Sequence, residues 1–285
     1  MRISFTAAAV LLAIYAAPAL ADRDPQSGAP LPPKKHEVAS PITDHFYVRA
    51  SFFSPKLSTE VRADPTQPGM TGTAINAEND LGLPSKLKEG RVEFMFRLRD
   101  RNKVRVDYFD ADRDGNAVLA NDIVFRNTTF LAGLPTQSSL DWKQFDITYT
   151  YSFIRNDRFE VGTGIAVYFL QFDAMMMQPQ PFAIALQQDV SAASPFPALP
   201  LDATWCISSR WAATARVAYL KANFHTADGW YSDSHADLQY RWNRFLALGL
   251  GYTSTHTSLT SRTTGNPGRI DMSLRGPEVF IRFSY

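Results

Sequence analysis

The side chains that could do chemistry are few and scattered. Asp107, Asp110, Asp112 and Asp114 cluster in one segment, His225 and Asp228 lie close together, and Ser234 precedes His235. An Asp/His pair can activate water as a general base. A Ser/His pair needs the two side chains in contact and a third group to orient the imidazole. Ser234 and His235 are adjacent, and in a strand adjacent side chains point to opposite faces, which argues against them as a pair. Asp110-Ala111-Asp112-Arg113-Asp114-Gly115-Asn116 has the start of a calcium loop. The bidentate Glu expected near position twelve is missing, with Ala120, Asn121 and Asp122 there, so a solvated acidic loop is the expectation. His36, His45, His225, His235 and His256 lack metal-ligand spacing, and one cysteine, Cys206, excludes a disulfide framework and a multi-cysteine zinc site. No cofactor or metal is expected.

What must position these groups is a chain of 285 residues with 29 basic and 28 acidic residues. A net charge of +1 and no basic stripe give no sign of a nucleic-acid partner. Residues 1–21 have a basic Arg2, a short apolar stretch from Thr6 to Ala17 and an Ala19-Leu20-Ala21 cleavage pattern, so they read as a secretory signal peptide. Residues 22–43 are Pro-rich, polar and aperiodic, as in a flexible lead-in.

From residue 44 to 285 the dominant period is two. Phe145, Ile147, Tyr149, Tyr151 and Phe153 alternate with Gln144, Asp146, Thr148, Thr150 and Ser152. Leu246, Leu248, Leu250 and Tyr252 alternate with Ala247, Gly249, Gly251 and Thr253. Each such segment is a strand with one greasy and one polar or small face. The alternations run about 9–13 residues, long enough to cross a bilayer at a tilt, whereas globular strands average about 5–6. Short polar turns (100–102, 155–157, 208–210, 243–244) alternate with longer connections near 64–88, 111–137, 174–198, 226–228 and 259–269. This predicts an all-β, antiparallel up-and-down transmembrane β-barrel of about ten strands, with eight or twelve as alternatives. The predicted strands cover 45–62, 90–99, 103–113, 139–153, 158–173, 199–207, 212–224, 230–241, 245–257 and 269–285. Asn121–Phe130 also has strand composition, so the strands flanking it can run beyond the membrane. The apolar stretch from Met175 to Pro200, with its Met175-Met176-Met177 cluster, is expected as an outer loop, either a short helix folded over the barrel mouth or a hydrophobic surface for the outer leaflet, ligands or a partner.

The chain ends with Val279, Ile281, Phe283 and Tyr285 on one face and a terminal aromatic. This resembles the C-terminal signal read by the bacterial outer-membrane insertion machinery, and residues 45–285 resemble small outer-membrane β-barrel proteins. The resemblance implies insertion from the periplasm, long loops outside, and outer-membrane lipid and lipopolysaccharide as neighbours of a monomer. Some relatives of that kind are rim proteases with Asp/His sites and some deacylate lipid A with a Ser/His pair, but no motif of either is present here. Met272 and Leu274 are apolar at even positions and Val279 onward at odd ones, so a β-bulge is expected at Gly276-Pro277.

The predicted inner face carries both signs: Arg49, Glu93, Arg97, Arg99, Arg105, Asp107, Asp146, Glu160, Asp202, Arg216, Asp237, Arg241 and Arg282. Arg99 and Arg241 fit strand-end turns as well. Arginine matches carboxylates bidentately, so an ion-pair lattice plugging a narrow lumen is expected. Trp142, Trp205, Trp211, Trp230 and Trp242 fall near predicted strand ends and suit interfacial girdles. The leading expectation is a non-enzymatic, structural or lipopolysaccharide-contacting barrel; the alternatives are a narrow conduit for small or hydrophobic solutes and an outer-rim protease or lipid A-modifying enzyme.

Overall fold

The computed structural model describes residues 40–285 apart from 68, 180–185, 224–226, 264 and 266. The described elements are strands: β1 (Phe46–Phe53), β2 (Lys56–Ala63), β3 (Ile75–Asn76), β4 (Glu89–Arg99), β5 (Asn102–Val118), β6 (Ile123–Phe125), β7 (Thr128–Phe130), β8 (Pro135–Arg155), β9 (Phe159–Gln178), β10 (Leu186–Cys206), β11 (Trp211–Asn223), β12 (Ala227–Arg241), β13 (Leu246–Ser261) and β14 (Gly268–Ser284). Each long strand pairs antiparallel with its neighbour, and β14 pairs back onto β1, from Tyr47↔Ser284 to Phe53↔Glu278. That closes a ten-stranded barrel in which β1 and β2 act as one staved strand: Phe53 faces Glu278 and Lys56 faces Arg275 in unbroken register. Over the turn-end half closure pairs each strand on both sides among the described residues, the condition for a sheet in hydrocarbon.

The stave kinks at Ser54-Pro55, where Pro55 has no N–H to donate. Gly276 permits the kink: a Cβ there would lie 2.5 Å from Pro55 Cα and 2.5 Å from the Ser54 carbonyl oxygen. The expected bulge at Gly276-Pro277 is therefore corrected. Pairing to β13 runs through Thr253↔Gly276 and Tyr252↔Pro277 without a shift. The register shifts lie elsewhere, between Arg97 and Arg99 and between Ser152 and Ile154. Along all of β14 the even residues face inward. The apolar side changes because the barrel's contents change.

Four short turns gather at one end of the barrel, with both ends of its strand order; the five other connections, most of them longer, gather at the other. β8 and β10 each have 21 residues, about twice what a bilayer crossing needs. Outward apolar residues cover only the turn-end half, for example Phe145 to Phe153 on β8; Lys143, Asp141 and Ser139 continue that face toward the loops. The expected outer loop at 174–198 is corrected accordingly. β9 runs to Gln178 and β10 begins at Leu186, and the two pair from Leu186↔Gln178 onward; residues 180–185 lie outside the described ones. Asp110 to Asn116 is likewise strand, part of β5, and neither a calcium loop nor a solvated loop.

Candidate functional site: the filled lumen

Two layers fill the interior. The turn-end layer is ionic. At its base, Arg241 grips Asp44 with both terminal nitrogens, 3.1 Å to Oδ1 and 2.5 Å to Oδ2, and Arg282 Nη2 donates to the same Oδ2 at 2.7 Å. Asp44 is buried, held there by the Ser40–Thr43 turn, whose Ile42 packs with Cys206 and Ala212. The last residues of the expected lead-in thus reach into the barrel. Across the lumen, Arg97 makes a bidentate pair with Glu160 at 2.7 and 3.0 Å, and Glu160 also takes the Ser152 hydroxyl at 2.7 Å and Lys103 Nζ at 3.3 Å.

Higher in this layer, Arg216 reaches Glu93 at 2.6 Å, and the Tyr47 hydroxyl donates to the same carboxylate at 2.5 Å. Arg105 binds Asp202 at 3.1 Å, Arg91 Nε donates to both Asp107 oxygens at 2.8 and 2.9 Å, and Arg49 bonds Asp237 at 2.8 Å and also Glu278. Arg49 and Arg282 stack over the rings of Phe280 and Tyr47, 3.6 and 3.7 Å to the centroids, a favourable placement of a cation on an aromatic face. Removing one partner of such a buried pair strands a charge, at a cost of about 3–5 kcal/mol.

His235 belongs to this lattice. Its Nε2 lies 2.8 Å from Asp237 Oδ2 and its Nδ1 3.0 Å from the Thr253 hydroxyl. Acid, imidazole and hydroxyl in a row is the arrangement acyl-transfer enzymes use. Here His235 and Asp237 are 5% and 8% exposed, Thr253 is fully buried, and Arg49 also bonds the acid. Ser234 faces outward, on the side opposite His235. Asp110, Asp112 and Asp114 face outward on β5, Asp107 faces inward, and Asp228 pairs with Arg262 at 2.7 Å; His225 and His36 lie outside the described residues.

The loop-end layer is apolar, which corrects the expectation of a charged lumen throughout. Phe53, Phe109, Trp142 and Phe172 form a chain of ring contacts across the interior, with centroids 5.6–5.9 Å apart. Leu57, Leu170, Met272, Leu274 and the Tyr168–Tyr231 pair complete it. Trp142 is thus a luminal residue and not part of a girdle; Trp205, Trp211 and Trp242 are exposed near the turn end, while Trp230 stacks on His256 at 4.4 Å near the loops. Above this layer the loops form their own core: Ile75, Leu81, Leu83, Leu119, Ile123, Phe125 and Phe130 pack on Leu140 and Met176. Arg113 ties the first loop down through Glu78 at 2.6 Å, and Gln178 ties the β7–β8 connection through Leu131 and Thr136.

Small spaces remain. One of about 40 Å³ lies within the ionic layer beside Lys103 and Thr214, and one of about 10 Å³ lies at the layer boundary beside Asp146, Tyr168 and Asp233. Such volumes hold from one to a few waters. Asp146 differs from the other expected lattice residues inside the barrel. Among the described residues it has no ion pair and accepts the Thr148 hydroxyl at 3.3 Å; the residue beside it on β5 is another carboxylate, Asp107, already taken by Arg91. Arg99 lies exposed at the turn end, whereas Arg241 is buried. Asp44, Arg91, Lys103, Asp233, His235 and Glu278 are lattice residues that the sequence reading missed. Arg91 and Lys103 share the inward parity of Glu93 and Arg105, so the alternation contained them; Asp44 precedes its strand and carried no such signal.

No family model matches the chain, and no curated protein matches it. Among solved structures it is similar to the outer membrane protease OmpT from Escherichia coli, with TM-score 0.48 and 9% identity over 84% of this chain and 97% of that one. It is also similar to the Pseudomonas putida toluene transporter TodX (0.34, 8%, 87% and 93%) and to Ail, the attachment invasion locus protein of Yersinia pestis (0.33, 5%, 83% and 99%). At these identities and TM-scores the likenesses carry no argument about what this chain does. By its own pairing, an antiparallel sheet closed on itself with apolar side chains outward over its turn-end half, the chain has the fold of the bacterial outer-membrane β-barrels.

Proposed function

We propose that the chain is a closed, non-conducting barrel of the bacterial outer membrane, exported by residues 1–21, that holds a folded loop cap above the outer leaflet and works without catalysis. The observation that carries this reading is the filled lumen: an ionic layer and an apolar layer in series, under a cap with its own core. A porin needs a continuous aqueous path, which barrels of about ten strands rarely leave. The clamped Asp237-His235-Thr253 row supports the absence of catalysis, since no substrate reaches its hydroxyl. Val279, Ile281, Phe283 and Tyr285 face outward at the seam between β14 and β1, where an insertion factor would meet the last strand as the barrel closes.

The test is single-channel recording of the mature protein in planar bilayers. No stable conductance step is expected at neutral pH. A reproducible open level of porin size would overturn the reading.

A further inference from the structure

Just above the apolar band, one sector of the outer wall is strongly cationic. Lys86, Lys56 and Arg275 occupy the same outward row on three adjacent chain segments, Lys56 bridging to Lys86 on one side and pairing with Arg275 on the other. Lys88 lies one outward row lower on the Lys86 segment. All four are exposed, and none makes an ion pair among the described residues. Adjacent staves are about 4.8 Å apart, and like charges directly opposite on a sheet are destabilising. The outward carboxylates on these strands, Glu60 and Asp271, sit two rows higher, and Asp271 is engaged by Arg269 and His256. In the two rows below come Tyr252 and then Phe52 and Val279, all exposed and largely apolar.

Three unneutralised cations side by side, at the height where a hydrocarbon surface ends, define an anion site at the level of lipid headgroups. We propose that Lys56, Lys86 and Arg275, with Lys88 beneath, bind the phosphate of a phosphorylated glycolipid of the outer leaflet, the lipid A portion of lipopolysaccharide. The guanidinium takes two phosphate oxygens in its fork and the two ammonium groups approach as point charges. The adjoining strand β5 carries Asp110, Asp112 and Asp114 outward, with Asp141 on β8 beyond it, and repels the same phosphate, so the glycolipid is held toward the β2 and β14 side of the row. This rests on the outer-membrane placement proposed above and deepens it.

The experiment is native mass spectrometry of the full mature protein in detergent, titrated with bis-phosphorylated lipid A, with lipid A stripped of phosphate, and with phosphatidylglycerol. Wild type is expected to bind the phosphorylated form at least tenfold more tightly than either alternative, taking roughly fivefold per cation near a surface. The triple variant Lys56→Gln/Lys86→Gln/Arg275→Gln should lose that preference, while Lys143→Gln on β8, beyond the acidic strand, should keep it. Equal binding of stripped lipid A, equal binding of phosphatidylglycerol, or a triple variant with unchanged preference would each overturn the inference. The wild-type arms hold whether or not the triple variant folds. Insertion of the wild type into plain phosphatidylcholine vesicles is scored separately, so failure of the membrane placement is told apart from failure of the lipid site.

Discussion

The two halves of this barrel are built on opposite plans. In the turn-end half the outer face is apolar and the inner face ionic; on β14, Val279, Ile281 and Phe283 look out while Glu278 and Arg282 look in. In the loop-end half of the same strand, Arg275 and Asp271 look out while Leu274 and Met272 look in. β8 repeats the inversion: Ile147 and Phe153 out with Thr148 and Ser152 in, then Lys143 and Asp141 out with Trp142 and Leu140 in. The strands alternate throughout, but which parity is greasy depends on the solvent outside. Where lipid surrounds the wall, polar groups must be satisfied internally; where water does, the hydrophobic effect fills the interior with carbon. One continuous sheet thus joins a membrane barrel to a soluble one.

The contrast predicts different sensitivities in the two layers. The largest effect is expected in the ionic layer. Glu160→Ala strands Arg97 and Lys103 and should destabilise the barrel by about 3–5 kcal/mol, read as a lower urea midpoint of the heat-modifiable band. A smaller effect is expected for a volume-conserving change in the apolar layer: Leu170→Met should cost less than about 1.5 kcal/mol by the same gel assay. If Leu170→Met proved as damaging as Glu160→Ala, packing would be as stringent as charge pairing and the contrast would fail. The smallest effect is expected at the boundary. Asp146→Asn removes a carboxylate with no cation and should shift stability by about 1 kcal/mol or less, whereas Asp107→Asn, which strands Arg91, should cost about 3 kcal/mol or more. Equal losses at the two aspartates would mean that Asp146 is paired after all.

Much of this was legible from period and turn spacing. The ten staves, the inward course of Arg97, Glu160, Arg216 and Arg282, and the outward course of the terminal aromatics all follow from two-residue alternation, because a strand has only two faces. What stayed hidden has a physical reason in each case. Met272 and Leu274 looked out of phase with Val279 because alternation reports the difference between faces and not which one meets solvent; the inversion imitated a bulge. Residues 186–198 looked like a loop because Pro195 and Pro197 interrupt the pattern, although this stretch is paired to β9 from Leu186 to Ala198. Trp142 read as a girdle residue because a tryptophan near a strand's apolar limit suits an interface and a packed lumen equally. Asp44 was invisible because its partners, Arg241 and Arg282, are about two hundred residues away and only closure brings them together.

The central claim is that both layers exclude solvent in the folded barrel. Single cysteines test it most directly in a Cys206→Ala background: Ala247→Cys in the ionic layer, Ala166→Cys in the apolar layer, and Asp157→Cys in an exposed turn. Ala247 and Ala166 are 1% and 0% exposed. With a charged maleimide added to the folded protein, the account predicts fast labelling at 157 and none at 247 or 166 until the barrel is unfolded by heat. Labelling of 247 and 166 at the rate of 157 would show an open, water-filled lumen and contradict it.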